Sequence, residues 1–303
     1  MIFTALIVTY NRLDKLKLCI TASLEAGFNH IVVVNNASTD ATEDWLASLN
    51  LEPVLHIVTL TKNTGGAGGF RGGAQYIKDN IKSDWVVLFD DDAYPDVLLL
   101  EKFKTNASSE YSAYNCRVID REGNDCKMNK PFMKLPSTFF ENIDYAIHPH
   151  LYIPDGSMRM PCVTLSFVGA IIKRDVFVNS IDYIHEELFI YYDDVYFSHH
   201  LKQNGHHFLY DPELIFTHDL SIQSKNINPS WKIYYLIRNL LLSKQLFNNS
   251  PPYSLFAIIL RVCKALAQLP AQKNKLHYLH YIFKGLKDGC LGIVGHRHNG
   301  NGQ

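Results

Sequence analysis

Four short apolar runs, with stretches of helical periodicity between them, organise the first hundred residues. Residues 3–9 (FTALIVT) form a β-rich run, and residues 12–26 follow with apolar positions at helical spacing, closed by Gly27 as a C-cap. Residues 31–35 form the next strand, and Ser38, Thr39, Asp40 and Thr42 supply N-capping side chains for a helix reaching about Leu49. A third strand over 54–60 leads through a glycine-rich turn to a helix over 67–81. A fourth strand, 84–89, stops at three aspartates. Alternation of this kind predicts an α/β domain with a mainly parallel sheet. In such sheets ligands bind beyond the carboxyl ends of the strands. Asn11, Asn36, Asn63 and Asp90 to Asp92 all follow strand ends, so they should converge on one edge.

Beyond residue 106 the pattern weakens. Residues 106–160 read as loops with short strands, 163–172 as an apolar strand containing Gly169, and 193–203 as a helix ended by Asn204 and Gly205. Short strands are expected at 207–210 and 214–217, and helices at 231–247, 253–269 and 276–287, separated by Pro251, Pro252 and Pro270. No internal repeat is visible.

Composition adds one thing that the pattern hides. The chain of 303 residues is 47% hydrophobic with a formal charge of −1, as expected of an ordinary globular protein. Yet residues 225–303 carry +10 and residues 1–224 carry −11. This predicts a catalytic domain over 1–224 and a basic helical region over 225–303 that meets an anionic partner. A membrane surface suits that partner better than nucleic acid, since no nucleic-acid motif accompanies the charge and residues 253–269 read as an interfacial or packing helix. The opening MIFTALIVTYNR lacks the basic start and cleavage site of a signal peptide, and no apolar run reaches the ~18 residues that span a bilayer. Six cysteines without a CxxC pair read as reduced thiols of a cytosolic protein.

The candidate chemistry begins with Asp90, Asp91 and Asp92. Carboxylates crowded at a strand end repel one another unless a cation neutralises them, and Mg²⁺ or Mn²⁺ often bridges such a group to a phosphate. Six glycines between Gly65 and Gly73 let the backbone approach a ligand at a helix N-terminus, where anions are favoured. The run fits neither the dinucleotide fingerprint, because Arg71 interrupts it, nor a Walker A loop. Asp193 and Asp194 stand at a helix start, as simple caps or as a general base. His218 could cap, pack or bind metal. The pairs His199-His200 and His206-His207, with His148, His150, His296 and His298, lack zinc-site spacing.

Taken in order, these residues resemble the family 2 glycosyltransferases of the GT-A fold over roughly residues 1–240. The motifs are Ile7 to Arg12, Val32 to Asp40, Asp90 to Asp92, Asn63 to Gly72, Tyr192-Asp193-Asp194, Thr217 to Ser221 and Tyr234 to Asn239, most similar to the galactofuranosyltransferase and rhamnosyltransferase branch. The resemblance implies a GT-A, Rossmann-like sheet with a C-terminal helical extension, and inverting transfer of a sugar from a nucleotide donor. It implies Asp90, Asp92 and His218 as ligands of Mn²⁺ or Mg²⁺, Asp194 as the base with Asp193 as runner-up, and Asp91 as a donor contact. Thr9, Asn11, Arg12 and Asn36 would line the nucleotide pocket, with Asn63, Gly65, Gly66 and Arg71 facing the pyrophosphate or donor sugar. Tyr192 and Tyr196 depart from common family residues near the dyad, which bears on acceptor contacts. The favoured donor is UDP-galactofuranose, on the glycine doublets at 65–66 and 68–69, with dTDP-rhamnose as alternative. The expected acceptor is a lipid-linked glycan of a cell-surface polysaccharide such as an O-antigen, met at the inner membrane face by a peripheral enzyme. A nucleotidyltransferase is disfavoured because residues 7–12 contain no glycine, and a non-catalytic binding protein because the acidic motifs are intact.

Overall fold

A computed structural model describes residues 1–49, 53–219 and 230–298. The strands are β1 (Phe3–Thr9), β2 (His30–Asn35), β3 (Leu55–Thr59), β4 (Trp85–Asp90), β5 (Ala93–Pro95), β6 (Ala113–Ile119), β7 (Met160–Cys162), β8 (Ala170–Lys173) and β9 (Phe208–His218). The helices are α1 (Leu13–Glu25), α2 (Thr42–Ser48), α3 (Gly65–Asn80), α4 (Leu99–Asn106), α5 (Phe139–Ile147), α6 (Arg174–Asn179), α7 (Asp193–Gln203), α8 (Lys232–Leu246), α9 (Leu255–Ala267) and α10 (Lys275–Cys290).

The strands form one sheet in the order β3-β2-β1-β4-β8-β6-β9-β5, with β7 paired to β9. The first four are parallel, as the alternation predicts, while β8 runs antiparallel to β4 and β6. Strand β1 has no polar face because both of its faces are covered. Ala5 and Ile7 pack with Leu16, Cys19 and Ile20 of α1, whereas Leu6 and Val8 pack with Phe70, Ala74 and Ile77 of α3. The sheet order reverses around β1 and β4, which sets their carboxyl ends beside a crevice.

Helix α3 lies close to β1 because glycine lines its contact face. A Cβ on Gly69 would meet Val8, and one on Gly73 would meet Leu6 and Val34. Gly65 is required for a different reason: its φ is +72°, and a side chain there would collide with the Phe189 carbonyl.

Several elements differ from the sequence expectation. The apolar stretch 163–172 is not one strand: β7 ends before it at Cys162, and an irregular buried segment leads to β8. Within that segment the Leu165 amide donates to Ser198 Oγ and the Ser166 amide to Asn115 Oδ1, so side chains replace a strand neighbour. The two short strands expected after residue 206 are one strand, β9, whose pairing with β6 shifts register around Pro212. Helices α4, α5 and α6 were not anticipated.

The expected boundary at 224/225 lies outside the described residues, as do Leu220 and Ser221 of the motif around His218. The basic helices that follow do not stand apart. Phe189 shares a core cluster with Ile233, Tyr234 and Tyr278, and Leu188 and Tyr196 share another with Leu240, Tyr253 and Ile258.

The glycine face yields a direct test. Gly73→Val should cost about 1–3 kcal/mol by overpacking against Leu6 and Val34. Gly66→Ala, where a Cβ meets nothing within 4 Å, should not destabilise. Urea midpoints of both variants check this, with unchanged slopes expected.

Candidate active site

Strand pairing assembles the first half of the site. β5 runs antiparallel to β9 with Ala93 opposite His218, and the Asp219 amide donates to the Asp92 carbonyl at 2.8 Å. His218 Nε2 therefore sits 3.3 Å from Asp92 Oδ1, while its Nδ1 is held 3.0 Å from Asn129 Oδ1. That outer contact orients the ring.

The three aspartates have unequal surroundings. Asp91 is buried, accepts from Thr9 Oγ1 at 2.7 Å, and lies 3.2 Å from Arg12 Nη1. Burial still pushes it up to about 6 against the pull of Arg12 and Thr9. Asp92 is 2.6 Å from the same Arg12 nitrogen and 3.7 Å from Lys15 Nζ. Although burial opposes its charge, the His218 contact and the Arg12 and Lys15 cations hold it down at about 2. Asp90 is pushed up to about 7, first by burial and then by the charges of Asp92 and Asp91. No side-chain hydrogen bond or ion pair to its carboxylate is found among the described residues.

Asp90 is therefore the aspartate whose charge lacks a direct partner, and hard oxygen donors of this kind fit a divalent cation. Asp90, Asp92 and His218 converge on one strand edge, but among the described residues no three His, Cys, Asp or Glu side chains form a ready metal cluster. Lys15 was missed because a lone lysine in an amphipathic helix carries no motif. Asn129 lies in the aperiodic stretch and gave no signal.

The neighbouring polar residues hold backbone. Asn11, at φ 53°, accepts from the Thr39 amide at 2.7 Å and ties the end of β1 to the loop after β2. Asn36 Oδ1 accepts from the Thr64 amide at 2.9 Å, and its Nδ2 donates to the Gly65 carbonyl at 2.9 Å. Asn63 Oδ1 accepts from the Gly65 amide at 2.8 Å. The two asparagines thus shape the glycine turn. Arg71 points elsewhere: its guanidinium donates to the Ile181 carbonyl at 2.6 Å and to Asp182 Oδ1 at 2.9 Å. It is not brought to the aspartates by any of these bonds. A groove of about 510 Å³ is lined by Asn11, Arg12, Lys15, Asp40 and Ala41.

The second half of the site is a strained loop. Phe189, Tyr191 and Tyr192 have φ of 69°, 66° and 67°, each costing about 1–3 kcal/mol in a non-glycine residue. Two side chains of α8 hold it. Arg238, fully buried, donates to the carbonyls of Leu188 at 2.7 Å, Glu187 at 3.2 Å and Gly295 at 2.6 Å. Asn239 Nδ2 donates to the carbonyls of Leu188, Ile190 and Tyr191 at 3.1, 2.7 and 3.0 Å. The Phe189 carbonyl in turn accepts from the Ala67 amide at 3.3 Å, joining this loop to the glycine turn.

The loop delivers Asp193 and Asp194 to the first turn of α7. Burial raises both carboxyls, and the charge of Asp194 raises Asp193 further, so the pair resists double ionisation. Asp194 Oδ1 also accepts from the Val195 amide at 2.7 Å. Both acids thus stand in the first turn of α7, where the helix dipole favours negative charge.

A raised carboxyl pKa means that the folded chain binds more protons than the unfolded one. For Asp193 this holds between the ordinary aspartate value near 4 and its folded value of about 7. Its contribution to stability is therefore lost as pH rises through that window. Asp193→Asn should gain thermal midpoint relative to the parent as pH goes from about 4 to 8, and a difference independent of pH would refute the burial of charge at this position.

Comparison with known proteins supplies the family. The family model Glycosyl transferase family 2 matches residues 4–166, more than half of the chain. The dTDP-rhamnosyl transferase RfbF of Shigella flexneri is 25% identical over 303 residues, covering 96% of each protein. Among solved structures, S. aureus TarS 1-349 aligns with a TM-score of 0.52 at 14% identity, covering 96% of this chain and 72% of that one. Its complex with UDP gives 0.51 at 15%, covering 95% and 71%. GalNAc-T7 with UDP, GalNAc and Mn²⁺ gives 0.55 at 11%, covering 86% and 54%. These structural likenesses establish the shared GT-A fold, and the sequence match establishes the family: the chain is a family 2 glycosyltransferase.

Proposed function

We propose that this enzyme transfers rhamnose from dTDP-rhamnose, with inversion, to a hydroxyl of a lipid-linked glycan during cell-surface polysaccharide synthesis. The observation that carries the donor is the likeness to a dTDP-rhamnosyl transferase across nearly the whole of both chains. Nucleotide-sugar donors as a class are supported by the UDP complexes of proteins with the same fold. The expectation of UDP-galactofuranose rested on the glycine doublets. Gly68 and Gly69 are needed against Thr64 and Val8 whatever the sugar, so they do not discriminate between donors.

The roles follow from the site. The groove beside Asn11 and Arg12 receives the nucleoside, with Thr9 and Asp91 behind it. Asn36 and Asn63 act on the diphosphate indirectly: they occupy the amides of Thr64 and Gly65 and so fix the turn that places the Gly66 amide at the start of α3. Arg71 supports the 181–184 segment instead of meeting the donor. Asp90 and Asp92, with His218, would hold Mn²⁺ or Mg²⁺, and such an ion supplies positive charge against the departing diphosphate. Arg12 and Lys15 add fixed positive charge beside the same carboxylates. Asp194 takes the proton of the acceptor hydroxyl; burial raises its basicity, and its charge in turn keeps the neighbouring Asp193 protonated. The acceptor reaches this dyad from the side of α7 and α9, and the enzyme works peripherally at the inner membrane face.

The donor is tested by offering the purified enzyme dTDP-rhamnose or UDP-galactofuranose with Mn²⁺, Mg²⁺ or chelator and a synthetic lipid-linked acceptor. Rhamnosyl transfer that chelator abolishes is expected, and turnover of UDP-galactofuranose alone would overturn the donor assignment. Asp194→Asn should lower kcat by about 100-fold or more while donor affinity, read by calorimetry, stays within a few-fold. Loss of donor binding instead would remove Asp194 from the role of base.

A further inference from the structure

Helix α9 buries Ala257, Ile258 and Ala265, yet it inverts the usual pattern elsewhere. Its one arginine, Arg261, points into the protein, where Nε donates to Asn142 Oδ1 at 3.1 Å and the guanidinium lies 4.2 Å over the Tyr253 ring. Leu255, Phe256, Ile259 and Leu266 point outward, with Phe256 69% exposed. Helix α5 beside it shows the same inversion. It is closed by a full capping box between Thr138 and Glu141, yet none of its nine residues is buried. Phe140 is 79% exposed and Ile147 65%. The two helices are tied together by the Asn142–Arg261 bond and by the Ser254 amide donating to the Ser137 carbonyl at 2.8 Å. Apolar faces this extensive on neighbouring surface helices mark an interaction site.

We propose that α5 and α9 form a docking face for an anionic lipid bilayer. Charge selects this occupant. Lys264, Lys273 and Lys275 are exposed at and just beyond α9 with no ion-pair partner among the described residues, within the segment of charge +10. The acids of α5 are already answered, Glu141 by Lys134 at 3.0 Å and Asp144 by His148 at 2.8 Å. A second copy of the face would set these lysines against one another. With 13 residues, α9 is about 20 Å long and lies along a bilayer surface without crossing it. Among the described residues no helix is long and apolar enough to cross a membrane.

The face also has a position. Tyr253, stacked under Arg261, packs edge-on against Tyr192 with ring centroids 6.1 Å apart, and Tyr192 is the residue before Asp193. A bilayer on α5 and α9 therefore lies one pair of rings from the dyad. This deepens the acceptor reading proposed above and rests on it only for the nature of the acceptor.

The test is co-sedimentation of the full chain with vesicles of phosphatidylcholine, alone or mixed with phosphatidylglycerol. Binding to the mixed vesicles is expected, with a loss of at least about tenfold in the double variant Phe140→Asp, Phe256→Asp. A smaller, salt-sensitive loss is expected in Lys264→Glu, Lys273→Glu. Binding to neither vesicle, or equal binding by the double variant with an unchanged thermal midpoint, overturns the proposal. A dimer in sedimentation velocity that the double variant splits, without vesicle binding, also overturns it and assigns the face to a second copy. Transfer to a soluble, lipid-free acceptor should be the same in the double variant and its parent. Absence of rhamnosyl transfer in that assay would count against the donor reading and leave the docking face standing.

Discussion

The backbone of residues 187–192 is held in a conformation that it would not adopt alone. Three non-glycine residues with positive φ in a span of four store strain, and five hydrogen bonds from Arg238 and Asn239 to carbonyls of this loop offset it, while a sixth holds Gly295. Arg238 carries a full charge into a place without solvent, which is tolerable because carbonyl oxygens surround its guanidinium and Tyr235 lies 4.8 Å away under it. On this clamp depend the start of α7, the dyad, the contact with the glycine turn and the seating of the chain at Gly295. The helices after residue 230 are thus part of the catalytic scaffold as well as a basic surface.

The first half of the site solves an opposite problem, an excess of negative charge. Arg12 and Lys15 reach over from the first turn of α1, and His218 arrives through the pairing of β5 with β9. Their contacts are unevenly shared. Asp92 is firmly ionised, Asp91 is satisfied by Thr9 and Arg12, and Asp90 is left facing its neighbours' repulsion. A cation arriving with a diphosphate would meet one carboxylate already prepared and another whose charge becomes favourable only on its arrival.

The parallel half of the fold was legible because each strand there is a short apolar run between turn residues, and Gly27 marks the end of α1. Beyond residue 106 burial and secondary structure part company. Residues 163–169 are apolar because they are enclosed, with Ser198 and Asn115 serving their backbone, so periodicity misled. Helix α5 has a legible start in the Thr138–Glu141 capping box, but its apolar side chains face outward and its surroundings read as loop. At the site, the aspartates, His218 and the dyad stood out through motif order, which records residue type but no contact. Hence Arg71 was aimed at the donor although it is spent on the Ile181 carbonyl. Arg238 and Asn239 lie in the motif from Tyr234 to Asn239, but what they hold has no sign in the sequence, since carbonyl acceptors have no side-chain signature.

One small contact reaches further than its size suggests. The Phe189 carbonyl sits against the Cα of Gly65 and accepts from the Ala67 amide, so the glycine turn and the loop leading to Asp193 and Asp194 form one mechanical piece. Neither can change shape by itself. An exchange of glycine turns between relatives that differ in donor would have to bring residues 187–192 and their α8 partners along. Segments distant in sequence are thus coupled in this scaffold, and a chimera cut by sequence position alone would separate two parts of one unit.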